Sequence, residues 1–131
     1  MDKMITVACV YWKGRFRGRE RVFNPKWVSI LKNMVERNLD VPHRFVCLSN
    51  VEVPCERIPL INNWPGYWSK VELFRPNIFK GRVLYLDLDV LVMQNLLPFF
   101  EFDSPFALCV KGLVGFVQER GNRLLICIIH R

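Results

Sequence analysis

No two of the five cysteines (Cys9, Cys47, Cys55, Cys109 and Cys127) are spaced C-x-x-C. That excludes a zinc knuckle and a thioredoxin-type redox motif. Three of them lie in the apolar runs VACVY, FVCLS and ALCVK. Cysteine in such a setting acts as a small buried hydrophobe, so reduced structural thiols are expected. Long hydrophobic runs are also missing. The longest near the C-terminal end, LLICII, falls far short of the roughly 20 residues of a spanning helix, and no membrane span is expected. The opening segment has one Lys ahead of a short apolar run and no small-residue cleavage site. It reads as a first strand rather than a signal peptide, which makes a cytoplasmic location the expectation. Internal repeats and low-complexity segments are absent as well. Acidic residues are in deficit, 12 against 19 Lys and Arg, for a formal charge of +7. That excess suits an anionic partner such as a phosphate, a nucleotide, nucleic acid or an acidic membrane. No recognition-helix pattern or RNP-type aromatic motif accompanies it, so nucleic acid is not an expected partner.

What is present describes a globular domain. A chain of 131 residues, 51% hydrophobic and 24% charged, has a one-domain length and can bury a substantial core. Ile5 to Tyr11 is a continuous β-rich apolar run, the mark of a strand covered on both faces. A Gly-punctuated basic loop, WKGRFRGRER, follows. Asn24-Pro25 makes a helix start, and Trp27, Leu31, Met34 and Val35 share one face of that helix, with Val28 and Leu39 beside it. Asp40-Val41-Pro42 ends it. Strands are predicted from His43 to Leu48, Arg57 to Leu60, Arg82 to Leu86 and Phe106 to Val110. The Asn, Pro and Gly of INNWPGY predict a loop over 61–67. Ser69-Lys70-Val71-Glu72 matches the S-x-x-E capping box, so a helix is predicted to begin at Ser69, limited to about two turns by Pro76. Strands alternating with helices predict an α/β fold with a mainly parallel sheet.

The chemistry is concentrated in Val83 to Val92, VLYLDLDVLV. Two carboxylates, Asp87 and Asp89, end an otherwise apolar strand, and ligands in open α/β sheets bind beyond the carboxyl ends of strands. Two like charges there are costly unless something positive joins them. A divalent cation would do so, and oxygen ligands suit Mg²⁺ and Mn²⁺. If the pleat persists, both side chains point to the same side. The plainer alternative is that Asp after a strand is a common turn former.

Two families share this pattern. DLDVLV resembles the first motif of the haloacid-dehalogenase phosphatases, in which the first Asp is the nucleophile and the second a general acid/base. In that family the strand normally opens the chain. The second resemblance, over roughly residues 4 to 108, is to the GT-A nucleotide-sugar glycosyltransferases, especially glycogenin and the galactosyltransferases of its family. ITVACVYW resembles the strand whose end holds the nucleotide base, and WVSILKNMVERNL with VPHRFVCLSN resembles the first helix and second strand. YWSKVELFRPNIFKGRVLYLDLDVLV resembles the most distinctive block: an aromatic, a Lys on a short helix, then the strand and the DxD.

This resemblance implies a Rossmann-like, GT-A nucleotide-sugar-binding half over residues 1–111. It implies that Asp87 meets the ribose and the metal, and that Asp89 binds Mn²⁺ or Mg²⁺ bridging the diphosphate of a nucleotide sugar, a UDP-sugar first of all. Lys70 would lie near the diphosphate or donor sugar, the alternative being a solvated Lys in a first helical turn. Tyr11 and Trp12 would flank the base, or else pack in core and loop. Lys13, Arg15, Arg17, Arg19 and Arg21 would meet phosphates or form a solvated loop. Trp64, Tyr67 and Trp68 would stack on a sugar or pack on the sheet. His43 is expected to be structural.

Residues 112–131 do not resemble the family's continuation. His130 is the only downstream histidine, and it is not expected to supply the third metal ligand common in the family. A chain truncated after the DxD half is the expectation, binding nucleotide sugar and transferring it poorly or not at all. The acceptor is not implied. A non-catalytic nucleotide-binding or interaction module is the alternative. Ending at Arg131 is expected to leave a strand edge or apolar face uncovered, favouring self-association. The 112–131 tail is expected to be poorly packed or to make an atypical contact, with LLICII able to add to the sheet.

Overall fold

The computed structural model describes residues 4–20, 23–79, 81–101, 106–108 and 123–127. The first strand, β1 (Ile5–Tyr11), is buried along six of its seven residues. The basic segment after it is not an open loop. Arg15–Phe16 (β2) pairs antiparallel with Arg19–Glu20 (β3) across a turn at Arg17 and Gly18, both at positive φ.

Helix α1 (Pro25–Asn38) starts where the sequence predicts. The Asn24 side chain caps it by accepting from the Lys26 amide at 2.8 Å, and Pro25 takes the first position, where a missing N–H costs nothing. Val28, Leu31, Met34 and Val35 are its buried residues, while Trp27 is only partly buried. Replacing Asn24 with Ala is expected to cost about 1 kcal/mol, read as a lower urea midpoint at unchanged slope.

Strands β4 (Arg44–Ser49), β5 (Glu56–Pro59), β6 (Arg82–Leu86), β7 (Phe106–Leu108) and β8 (Arg123–Cys127) complete one six-stranded sheet with β1. The order is β5-β4-β1-β6-β8-β7, and every neighbouring pair is parallel. The architecture is therefore α/β with a parallel sheet, as the alternation of elements predicts. β6 lies between β1 and β8, with Ile5 opposite Arg82 on one side and Arg82 opposite Arg123 on the other. The segment RLLIC thus joins the sheet beside the DxD strand. Cys109, Val110, residues 112–122 and His130 lie outside the described residues, as does the rest of the tail after Cys127.

The pleat sorts the strand residues onto two faces. Val7, Cys9, Tyr11, Phe45, Cys47, Leu84 and Leu86 pack with α1. Ala8, Val10, Val46, Leu48, Val83 and Tyr85 face the other way and pack with Leu73 and Phe79. Strands β1, β4 and β6 are thus covered on both sides, which explains why they read as nearly unbroken apolar runs. Described cysteine side chains are free, with Cys9 and Cys47 buried and Cys55 partly so. A contact with Cys47 and then burial hold the Cys55 thiol well above its ordinary pKa. Among the described residues, no helix is long and apolar enough to cross a membrane.

The predicted helix at Ser69 is different in kind and place. Gly66–Phe74 forms a 3₁₀ helix, beginning three residues earlier than the capping box indicates. Gly66 has φ 60°, and a Cβ there would come within 2.6 Å of the Phe16 ring. Only glycine therefore allows the β2–β3 hairpin to close onto this helix. The Ser69 hydroxyl donates to the Gly66 carbonyl at 2.6 Å. Glu72 turns away from Ser69 and accepts the amides of Ile61, Asn62 and Asn63 at 2.7, 3.1 and 3.2 Å. Three residues per turn then set three columns. Gly66, Ser69 and Glu72 are buried, Trp68, Val71 and Phe74 are exposed, and Tyr67 and Lys70 stand in the third column above buried Leu73.

Candidate functional site

Residues at and just beyond the ends of β1 and β6 open onto one cavity of about 280 Å³. Tyr11 and Trp12 line it from the end of β1, Asp87 and Asp89 from the end of β6, and Lys70 from the 3₁₀ helix. All five residues singled out from the sequence therefore meet around a single space, at the carboxyl ends of parallel strands where α/β sheets place ligands.

The two aspartates do not reach it by a continued pleat. The ladder stops at Leu86, and the Val90 amide bonds back to the Asp87 carbonyl at 3.1 Å, closing a turn over 87–90. From within the turn onward burial alternates: Leu88, Val90 and Val92 are buried, and Asp89, Leu91 and Met93 are exposed. The buried set packs into the core on the α1 side. The end of α1 fixes this segment, because the Leu96 amide donates to the Asn38 carbonyl at 2.8 Å.

Two side chains hold Asp87 in place. Its Oδ1 accepts from the Lys70 ammonium at 2.7 Å and from the Tyr85 hydroxyl at 2.5 Å. Tyr85 precedes Asp87 by two residues and faces the same side of the sheet, so its hydroxyl reaches the carboxylate directly. Lys70 Nζ also lies 5.7 Å from the centre of the Tyr85 ring. Burial, followed by the neighbouring Asp87 charge, pushes the Tyr85 hydroxyl well above its ordinary pKa. Its folded-state value is thus above the unfolded value of about 10. The corresponding stability is complete below pH 10 and is lost as pH climbs toward the folded value. Absorbance at 295 nm should show that Tyr85 ionises only as the chain unfolds in alkali, and Tyr85→Phe should remove that component. Ionisation of all three tyrosines in the folded protein near pH 10 would contradict this.

The aromatic wall is held by polar contacts that sequence reasoning did not reach. Trp12 Nε1 donates to Asn63 Oδ1 at 3.0 Å, and Asn63 belongs to the loop anchored by Glu72. Asn50 brackets Lys13, accepting its amide at 2.9 Å and donating to its carbonyl at 2.8 Å. Burial raises the Tyr11 pKa, with Cys47 adding to it. Of the basic run, Arg17 donates to the Tyr67 hydroxyl at 3.0 Å and lies over the Phe16 and Tyr67 rings. Arg15 is exposed, and Arg21 lies outside the described residues. The three loop aromatics separate: Tyr67 lines the cavity, Trp68 is half exposed beside it, and Trp64 lines a different hollow with Val71 and Phe74. His43 Nδ1 sits 2.7 Å from the Val41 carbonyl, a local contact away from the cavity lining.

The implied cation can be tested against these donors. Among the described residues, no group of three or more His, Cys, Asp or Glu could hold a metal ion, so no protein-only cage is formed. Mg²⁺-type ions in phosphate sites commonly use one or two carboxylates and take their remaining ligands from substrate and water. Asp87 and Asp89, with hard oxygen donors on one cavity wall, fit that arrangement. Positive charge is already present, however, since Lys70 occupies Asp87 Oδ1. Comparison with profiles of protein families, with curated proteins and with solved structures found no match.

Proposed function

We propose that this chain binds a nucleotide sugar as the donor half-site of a GT-A-type glycosyltransferase, with a UDP-sugar as the first candidate and a divalent cation as cofactor. The observation that carries the reading is the convergence of Tyr11, Trp12, Lys70, Asp87 and Asp89 on one cavity at the ends of β1 and β6. Tyr11 and Trp12 supply flat surfaces for the base. Asp87 accepts from ribose hydroxyls or contributes to the cation site, and Asp89 contributes to the cation site. Lys70 supplies a positive charge for the diphosphate. The cation, when bound, would offset negative charge developing on the leaving diphosphate. Reduced thiols and a cytoplasmic setting belong to the same proposal.

A second reading of another class is a nucleotide-binding module without transfer activity. It is favoured by the two-carboxylate donor set, which has no third metal-ligating side chain among the described residues. A panel of UDP-sugars with and without Mn²⁺, set against a generic phosphate ester, separates the readings. Mn²⁺-dependent hydrolysis or transfer of a UDP-sugar supports the enzyme, and Mn²⁺-dependent binding without turnover supports the module. Turnover of the generic ester with no UDP-sugar binding would replace both with a phosphatase of the haloacid-dehalogenase type.

A further inference from the structure

We infer that Lys70 is a resident counter-cation of Asp87, and that it makes divalent-cation binding at this site conditional on an anionic phosphate ligand. The inference rests on the nucleotide-sugar reading above and adds a binding order to it. Three observations carry it. Lys70 Nζ sits 2.7 Å from Asp87 Oδ1, the same oxygen that accepts the Tyr85 hydroxyl at 2.5 Å. A cation approaching that oxygen therefore competes with an ammonium already bonded there. The two partners also differ in freedom: the Lys70 side chain is 40% exposed, while that of Asp87 is 19% exposed. Tyr85 is almost wholly buried. The carboxylate and phenol are thus fixed by the sheet end, and the ammonium is the member that can move. Finally, Lys70 and both aspartates line the same cavity, so a phosphate entering it comes within reach of the ammonium.

The consequence follows from linkage. In the ligand-free protein Lys70 competes with the cation for Asp87. An entering diphosphate offers Lys70 a replacement partner with more negative charge, and Asp87 is released to the cation. Each ligand therefore strengthens the other, and by thermodynamic necessity the coupling is reciprocal. Ion exchange of this kind depends on the charge of Lys70 and on its alternative partner, with no change required in the fold.

Titration calorimetry on the full chain tests it with MnCl₂ alone, UDP alone, and MnCl₂ in the presence of saturating UDP. The parent protein should bind Mn²⁺ at least tenfold more tightly with UDP than without. Lys70→Met should bind Mn²⁺ alone at least tenfold more tightly than the parent does, about 1.4 kcal/mol. In that variant the gain from UDP should shrink toward onefold. Lys70→Arg keeps the charge and should keep most of the coupling, and circular dichroism verifies that both variants are folded. The ratio of Mn²⁺ affinities with and without UDP is decisive. Simple removal of a repelling charge strengthens Mn²⁺ binding equally in both states and leaves the ratio unchanged, which would overturn the inference. Unchanged or weaker binding of Mn²⁺ alone by Lys70→Met would overturn it too. A parent protein that binds no UDP under any condition defeats the nucleotide-sugar reading itself, an outcome distinct from either of those.

Discussion

Replacing Asp89 with Asn is expected to weaken Mn²⁺-dependent UDP binding tenfold or more, about 1.4 kcal/mol. The substitution keeps the size and shape of the side chain and removes its charge. A hard cation loses a charged oxygen ligand and retains at best a neutral carbonyl. Asp89 is exposed in the turn that follows β6, whereas Asp87 is partly buried, and the urea midpoint of the variant, measured alongside, separates lost binding from lost stability. Asp87 also holds Lys70 and Tyr85, and its replacement would disturb the cavity wall along with any ligand. The measurement is calorimetric affinity for UDP with and without Mn²⁺ in both proteins. Equal UDP affinity with and without Mn²⁺ in the parent would remove the cation from the proposal altogether.

The central sheet was legible because both faces of its inner strands are covered. ITVACVY and RVLYL carry apolar side chains at odd and even positions alike, and the structure places alternate residues of each against α1 and against the 3₁₀ helix. The aspartates were legible as site residues for the same reason, as carboxylates ending a strand that otherwise tolerates no charge. What was not legible depends on which distant segments the topology brings together. S-x-x-E at Ser69 is a local pattern, yet Glu72 bonds to amides about ten residues upstream. Nothing within the tetrapeptide announces that loop. Tyr85 was read as one more apolar residue of its strand. Period-two spacing from Asp87 was the available signal, and only the approach of Lys70 to both side chains gives it meaning. The two carboxylates suggested a cation between them, and the structure places a lysine from 17 residues earlier against one of them, Asp87. That LLICII could add to the sheet was legible in its Leu and Ile content, but its place between β6 and β7, with Arg82 opposite Arg123, is nonlocal and no short-range signal encodes it.

Removing the Glu72 carboxylate is expected to have the largest effect on stability, about 3 kcal/mol for Glu72→Ala. Glu72 is 3% exposed. Its two oxygens accept three successive backbone amides, from Ile61, Asn62 and Asn63, and it pairs with Arg75 at 3.2 Å. Alanine would leave those amides without their acceptor and Arg75 without its counter-charge. Ile61, Asn62 and Asn63 are themselves exposed, so the larger part of the cost is expected from Arg75, whose side chain is 16% exposed and would keep its charge without the Glu72 partner. Against a typical domain stability of 5–15 kcal/mol, a loss of this size is a substantial fraction. Urea denaturation should show it as a lower midpoint at unchanged slope. The consequence should also reach the cavity, because Asn63 holds the Trp12 indole. At low temperature, where the variant remains folded, UDP affinity should fall although Glu72 does not line the cavity. Glu72→Gln keeps one carbonyl acceptor and should lie between the parent and alanine in both measurements. A Glu72→Ala protein within 1 kcal/mol of the parent would show that the 61–63 loop is held by something other than this carboxylate. The route from the 3₁₀ helix through Asn63 to Trp12 would then fail with it.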